Sequence, residues 1–205
     1  MAMIKKIVPN IYYHIVSKKS NKVMDVDALA ACNDGGAVQL YDKIGTENQQ
    51  FKFVYDPSKK FYKIVCRNSK KPIDIVSVGS SNGAQVHQWS DSDVETQLWN
   101  VQFSSDGYCK IVSKHSNKVL DAGLDDSNNS RIHIWDDFDS DNQLWYLEKP
   151  SSSSKNKTCK DNKKTCSKKS NTSIKTGNSI KKINTSFLSN SLKTNESKSK
   201  IKDTK

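Results

Sequence analysis

Ile15, Ile64 and Ile111 each stand ten residues ahead of an aspartate, namely Asp25, Asp74 and Asp121. Around them the chain reads Tyr12-Tyr13-His14-Ile15-Val16-Ser17, then Phe61-Tyr62-Lys63-Ile64-Val65, then Tyr108-Cys109-Lys110-Ile111-Val112-Ser113. The steps between copies are 49 and 47 residues. A second motif keeps the same phase, as Val38-Gln39-Leu40-Tyr41, Val86-His87-Gln88-Trp89 and Ile132-His133-Ile134-Trp135. Each is followed by a third, Gln50-Phe51-Lys52, Gln97-Leu98-Trp99 or Gln143-Leu144-Trp145. Self-similarity at a fixed period of this size marks an architecture in which no unit buries its apolar face alone. Short runs rich in Val, Ile, Tyr and Trp, alternating with period two and separated by clusters such as Asn33-Asp34-Gly35-Gly36, read as β-strands. No 3.6-residue period competes before Pro150. The expected fold is all-β, a closed threefold barrel with units at about residues 11–55, 61–104 and 107–148.

Charge divides the chain at the same place. From Pro150 to Lys205 there are 15 lysines against Asp161, Glu196 and Asp203, a net +12, which leaves residues 1–149 at −1 of the total +11. Of the 17 aromatic residues only Phe187 lies in that segment. Lys, Ser, Asn and Thr supply 42 of its 56 residues, a composition that cannot bury enough apolar surface to offset chain entropy. Residues 1–149 are therefore expected to form the domain and residues 150–205 a disordered basic tail. Diffuse attraction of the tail to nucleic acid, anionic lipid or another polyanion is the contact its lysines allow.

The pattern Tyr-x-Ile-Val, then Asp, then Gln-x-Trp, three times over, resembles the ricin-type β-trefoil lectin family across about residues 11–148. The resemblance implies a β-trefoil with three pseudo-symmetric repeats that binds carbohydrate without catalysis. It also implies that each site uses the repeated aspartate, the strand-end aromatic and an asparagine just before the Q-x-W glutamine. Carried over, the third repeat has Asp121, Trp135, Asn142 and Gln143, with His133 on the same strand face as Trp135. The first has Asp25, Gln39 and Tyr41, with Gln50 as the motif glutamine and Gln49 where asparagine is expected. Lys52 there replaces the tryptophan, and Phe53 is expected to take its packing role. The second has Asp74, His87, Trp89 and Gln97, with Thr96 at the asparagine position. The expected order of quality is third, first, second.

The residues can also be read without the resemblance. Trp99 and Trp145 are expected to pack in the core, where large aromatics dominate the energetics. Tyr41, Trp89 and Trp135 end strands whose inward positions are already apolar, so their rings are free to present a flat face to a ligand. An aspartate set in Val-Met-Asp-Val, Ile-Asp-Ile or Val-Leu-Asp-Ala is costly unless hydrogen-bonded. It serves either as a turn residue holding backbone amides or as a fixed acceptor for ligand hydroxyls.

Other classes are set aside. No apolar run reaches the roughly 18–20 residues of a membrane helix. The opening MAMIKKIVPNIYYHIV has no continuous apolar stretch of a secretory signal, so a cytoplasmic or non-classically exported protein is expected. Five cysteines without C-x-x-C spacing argue against a disulfide scaffold and a zinc ribbon, and Cys159 and Cys166 are expected as exposed thiols. Asp137-x-Asp139-x-Asp141 imitates a calcium loop but has Asn142 where the turn glycine belongs, and a solvated acidic loop is expected. No G-x-S-x-G, P-loop or H-E-x-x-H occurs, and no cofactor is expected. The leading expectation is a lectin for glycans, galactose-type or other neutral sugars. Its rival is a trefoil scaffold with vestigial sugar sites, binding protein or polyanion partners through loops and tail.

Overall fold

The computed structural model describes residues 4–30 and 32–151. The expectations of a disordered tail and of exposed thiols at Cys159 and Cys166 fall outside those residues. Each repeat contributes four strands: β1 (His14–Ser17), β2 (Val23–Val26), β3 (Gly36–Tyr41) and β4 (Phe51–Asp56) in the first. The second supplies β5 (Phe61–Cys66), β6 (Ile73–Ile75), β7 (Val86–Gln88) and β8 (Trp99–Phe103), and the third β9 (Cys109–Ser113), β10 (Val119–Asp121), β11 (His133–Trp135) and β12 (Trp145–Glu148). A common turn joins the first two strands of each unit. Asn21, Lys70 and Asn117 adopt left-handed φ of 57°, 63° and 56°, and their N–H groups donate back to Ser17, Cys66 and Ser113. Asparagine tolerates that conformation better than most residues, which suits it to two of the three turns.

Six strands close a barrel. β4 pairs with β5, β8 with β9, and β12 with β1, so that Phe53 faces Ile64, Val101 faces Ile111, and Leu147 faces Ile15. Single contacts complete the ring at Tyr62 with Trp99, Trp145 with Cys109, and Tyr13 with Phe51. Closure leaves these strands no free edge. The other six strands form three hairpins, β2–β3, β6–β7 and β10–β11, that cap one end. They meet in a triangle through Ala37 with His87, Gln85 with His133, and Gln39 with Arg131. All-β architecture with three repeats is thus a β-trefoil. Among the described residues no helix is long and apolar enough to cross a membrane.

The core lies on the threefold axis. Ile15, Ile64 and Ile111 are fully buried, as are Trp99, Trp145 and Phe51. Each indole N–H finds a carbonyl: Trp99 donates to Ile73 at 3.2 Å and Trp145 to Leu120 at 3.0 Å. Phe51, not Lys52, occupies the tryptophan position of the first repeat. It follows the short 3-10 turn Glu47–Gln49 by the same step that sets Trp99 after Glu95–Gln97 and Trp145 after Asp141–Gln143. Phe53 is buried too, in the next layer, edge-on to Tyr13 and Tyr62. Cys66 and Cys109 are free thiols in this core, and burial pushes the Cys109 pKa up to about 12. The acidic loop after Trp135 is ion-paired rather than gathered: Asp137 and Asp139 meet Lys110, and Asp141 meets Lys18.

Candidate functional site

Each cap hairpin places an aspartate directly across from a polar residue on the next strand, as Asp25 with Gln39, Asp74 with His87, and Asp121 with His133. Two residues further along comes the aromatic: Tyr41, Trp89 or Trp135. Strand alternation explains the grouping. The residues between, Leu40, Gln88 and Ile134, are fully buried, so the flanking positions turn outward together.

In the third repeat Asp121 is 3% exposed and surrounded by donors. Asn142 Nδ2 reaches Oδ1 at 2.8 Å, the Gly123 N–H reaches it at 2.6 Å, and Gln143 Nε2 reaches Oδ2 at 2.8 Å. His133 Nε2 lies 3.7 Å from Oδ1. Gly123 has φ 73°, and a Cβ there would stand 3.2 Å from the His133 ring, so glycine permits this close packing. Asn142 gives one of its two N–H donors to Asp121 and stands at the wall of a hollow of about 430 Å³. Trp135 forms a second wall, edge-on to His133 at 5.6 Å. Leu124 and Phe138, 82% and 68% exposed, form its lips.

The first repeat requires a correction of one residue. Asn48, not Gln49, holds the asparagine position: its Nδ2 donates to Asp25 Oδ2 at 2.9 Å and to the Val26 carbonyl at 2.8 Å. Gln49, not Gln50, is the motif glutamine. Its Nε2 donates to the Asp42 carbonyl at 2.9 Å, and its Oε1 accepts from the Ile44 and Gly45 amides. Gln97 makes the same pair of contacts with Ser90 and Ser92, and Gln143 with Asp136 and Phe138. Gln50 instead bonds Gly45 and Arg67 and does not join Asp25. A signal was present, because Tyr41, Trp89 and Trp135 precede Phe51, Trp99 and Trp145 by ten residues each. The adjacent glutamines hid it. Gln39 Nε2 completes the first site, 3.2 Å from Asp25 Oδ1. Burial raises the Asp25 pKa above the usual carboxylate value, against the opposing pull of the Gln49, Gln39 and Asn48 amides.

The second repeat keeps Asp74, His87, Trp89 and Gln97 but differs around them. Gln97 Nε2 donates to Asp74 Oδ2 at 3.0 Å. Thr96 replaces the asparagine, and Asp74 Oδ1 is buried without a hydrogen-bond partner. His87 lies flat on Trp89, with centroids 5.0 Å apart and 25° between planes. Burial lowers the His87 pKa, with the Asp74 carboxylate pulling it up. The hollow is larger, about 690 Å³, and walled by Val76, Val78 and Val94. Ser77 and Val78 have φ of 54° and 56°, a conformation rare for a β-branched residue. The ring of His115 sits 3.2 Å from the Val78 carbonyl.

Comparison with known proteins fits this geometry. Residues 4–89, 47–135 and 95–160 each match the family model described as ricin-type beta-trefoil lectin domain-like. The chain belongs to this family. Together the overlapping matches cover all three repeats. ThreeFoil, a designed threefold-symmetric protein, is 36% identical, with a TM-score of 0.63 over 66% of this chain and 96% of that one. An exo-β-1,3-galactanase from Clostridium thermocellum is 26% identical with a TM-score of 0.63, and the match covers 70% of this chain but only 31% of the galactanase. The Macrolepiota procera ricin B-like lectin, solved with lactose, shares the fold at 17% identity and a TM-score of 0.61, covering 71% and 99% of the two chains. No curated protein matches this chain.

Proposed function

We propose that this chain is a non-enzymatic carbohydrate-binding protein with one shallow site per repeat. The observation that carries the reading is the third hollow, where Asp121 is held by three donors beside Trp135 and Asn142. A carboxylate fixed in this way accepts from two neighbouring hydroxyls of a sugar ring. The indole face of Trp135 covers the ring's apolar C–H side, and Asn142 supplies a remaining polar contact. Asp25, Gln39, Tyr41 and Asn48 repeat the arrangement in the first cluster, with the Gln49 amide holding the loop behind them. Asp74, His87 and Trp89 form the second, without the asparagine amide. The lactose-bound relative and the galactanase point to galactose-type neutral sugars.

A single shallow site of this kind binds with Kd on the order of 0.1–1 mM. Several sites on one rigid barrel raise avidity by roughly 10²-fold or more on a clustered glycan. The test is a glycan-array screen of the full chain, followed by titration of the best ligand into Asp121→Ala. Array binding that the substitution weakens at least several-fold supports the proposal. No array binding at clustered density, or binding indifferent to Asp121, Asp25 and Asp74 changed together, ends it.

A further inference from the structure

The barrel places one histidine where the other repeats place lysine. His14 on β1, Lys63 on β5 and Lys110 on β9 hold equivalent positions, each one residue ahead of the axial isoleucine. Lys63 reaches Asp91 and the Ser92 carbonyl, and Lys110 reaches Asp137 and Asp139. These partners lie in the loop that follows the rim aromatic. In the second and third repeats, therefore, a strand lysine that stays charged at all ordinary pH clamps the loop from behind. The first repeat exchanges the parts. Its loop carries Lys43 where the others have Asp91 and Asp137, two residues after Tyr41, Trp89 and Trp135. The carboxylate comes instead from Glu148 on β12, directly across from His14, where the other seams have Val54 and Gln102. Lys43 Nζ meets both Glu148 oxygens, at 2.9 and 2.8 Å.

His14 is 4% exposed. Its Nδ1–H donates to the Gln49 carbonyl at 3.0 Å, which fixes the tautomer and leaves Nε2 bare in the neutral ring. Among the described residues Nε2 has no hydrogen-bond partner, and the ring lines a hollow of about 210 Å³ with Lys43, Glu148 and Gln50. The charged groups facing that hollow are Glu148 from β12 and Lys43 from the loop; Arg67, behind Gln50, is engaged by Gln50 and Glu47. We infer that His14, Lys43 and Glu148 form a proton-operated clamp, which holds the loop of residues 42–50 at neutral pH and loosens it in acid, while the two lysine-clamped loops stay closed. Protonation places a second cation beside Glu148, in competition with Lys43, and puts charge into the buried β1–β12 seam. Gln49 extends the effect, because its carbonyl rests on His14 while its side chain ties Asp42, Ile44 and Gly45. Burial pushes the His14 pKa below the ordinary histidine value, against the pull of the Gln49 carbonyl and Glu148 and with a further push from Lys43. The fold therefore prefers the neutral ring. Its contribution is complete above the ordinary histidine pKa of about 6.5 and is lost as pH falls from there through the lowered folded value.

The test needs no ligand, so its outcome stands apart from the carbohydrate reading. The ¹⁵N-labelled full chain is followed by NMR from about pH 7.5 to about pH 4.5, a range that spans the ordinary histidine value. The His14 imidazole resonances report its titration, and hydrogen-exchange protection at the Ile44 and Gly45 amides reports the first loop. Ser92 and Phe138, whose amides donate to Gln97 and Gln143 as Ile44 does to Gln49, report the other two loops. Protection at Ile44 and Gly45 is expected to fall about 2–5-fold relative to Ser92 and Phe138, in step with His14 protonation, the worth of one exposed ion pair. Two variants remove the clamp's titration by different routes. His14→Gln keeps an amide donor for the Gln49 carbonyl, and His14→Lys combined with Lys43→Asp installs the clamp of the other repeats. Both are expected to leave the first loop as indifferent to pH as the second and third. Unchanged protection at Ile44 and Gly45 while His14 titrates overturns the inference, as does equal loss from all three loops. An imidazole that takes up no proton over the range overturns it too. A response that survives in His14→Gln assigns the effect to another group, with Asp25, whose pKa burial raises, the first to examine, and likewise ends it.

Discussion

The third and second hollows share a backbone plan and part company around the aspartate, with Asn142 against Thr96 and Gly123 against Val76. What they retain is as informative as what they exchange. Gln97 and Gln143 are both buried, both hold their aspartate, and both tie down the loop that follows the aromatic. Gln49 holds the same loop in the first repeat. A residue kept for such contacts serves the fold first, and any ligand only through the aspartate it orients. The asparagine carries no such burden, so it can change without loosening the trefoil. The tryptophans divide in the same way. Trp99 and Trp145 fill the axis, whereas Trp89 is 42% exposed at a rim.

That division can be broken by experiment, beginning with the largest effect. Trp99→Ala and Trp145→Ala each leave a cavity in the core and are expected to cost about 3–5 kcal/mol. At roughly 2–4 °C per kcal/mol for a domain of this size, calorimetry should show melting fall by about 10 °C. Trp89→Ala and Trp135→Ala should shift it by no more than about 2–3 °C, near the surface-substitution range. Similar losses from all four would show that the rim tryptophans are structural.

For binding, Trp135→Ala is expected to weaken sugar affinity at the third hollow by about 10-fold or more, given the roughly 1–2 kcal/mol that loss of a stacked aromatic face removes. The readout is titration followed by chemical shifts of the Gly123 and Asn142 amides. A smaller change is expected from Asn142→Thr, which converts the third hollow toward the second. Neutral hexose affinity there should fall about 3–10-fold, one hydrogen bond's worth, with melting nearly unchanged. An unaltered affinity would show that the asparagine is not a ligand contact.

The pH effect is the mildest and separates the Asp25 cluster from ordinary carboxylate behaviour. Burial raises the Asp25 pKa in the folded state, so the native protein holds that proton more tightly than the unfolded chain does. This group's contribution to stability therefore grows as pH falls through the raised folded pKa, and is lost as pH rises through it. Binding runs the other way, because a protonated Asp25 is a poorer acceptor. Affinity at the Asp25 cluster should begin to fade at a pH above the usual carboxylate value. Titrations at stepped pH, read at Tyr41, check this, and a constant affinity down to the usual carboxylate range would contradict it.

Much of the molecule was legible in its residues. The 49- and 47-residue steps, the period-two alternation and the turn clusters determined an all-β, threefold chain, because only three units together can bury Ile15, Ile64 and Ile111. The grouping around Asp121 was legible as well, since Asp121, Trp135, Asn142 and Gln143 all stand in phase. The first was misread by one residue. Adjacent glutamines satisfy the same pattern in two registers, and only the 3-10 turn before Phe51 decides which amide faces Asp25. The exposed lips Leu124 and Phe138 come from two separate loops, and no local pattern announces that they meet. Nor could spacing show that Thr96 leaves Asp74 Oδ1 open. A hydrogen bond's absence is a property of every group around an atom, and those groups were assembled by tertiary folding from β6, β7 and the turn at Glu95–Gln97.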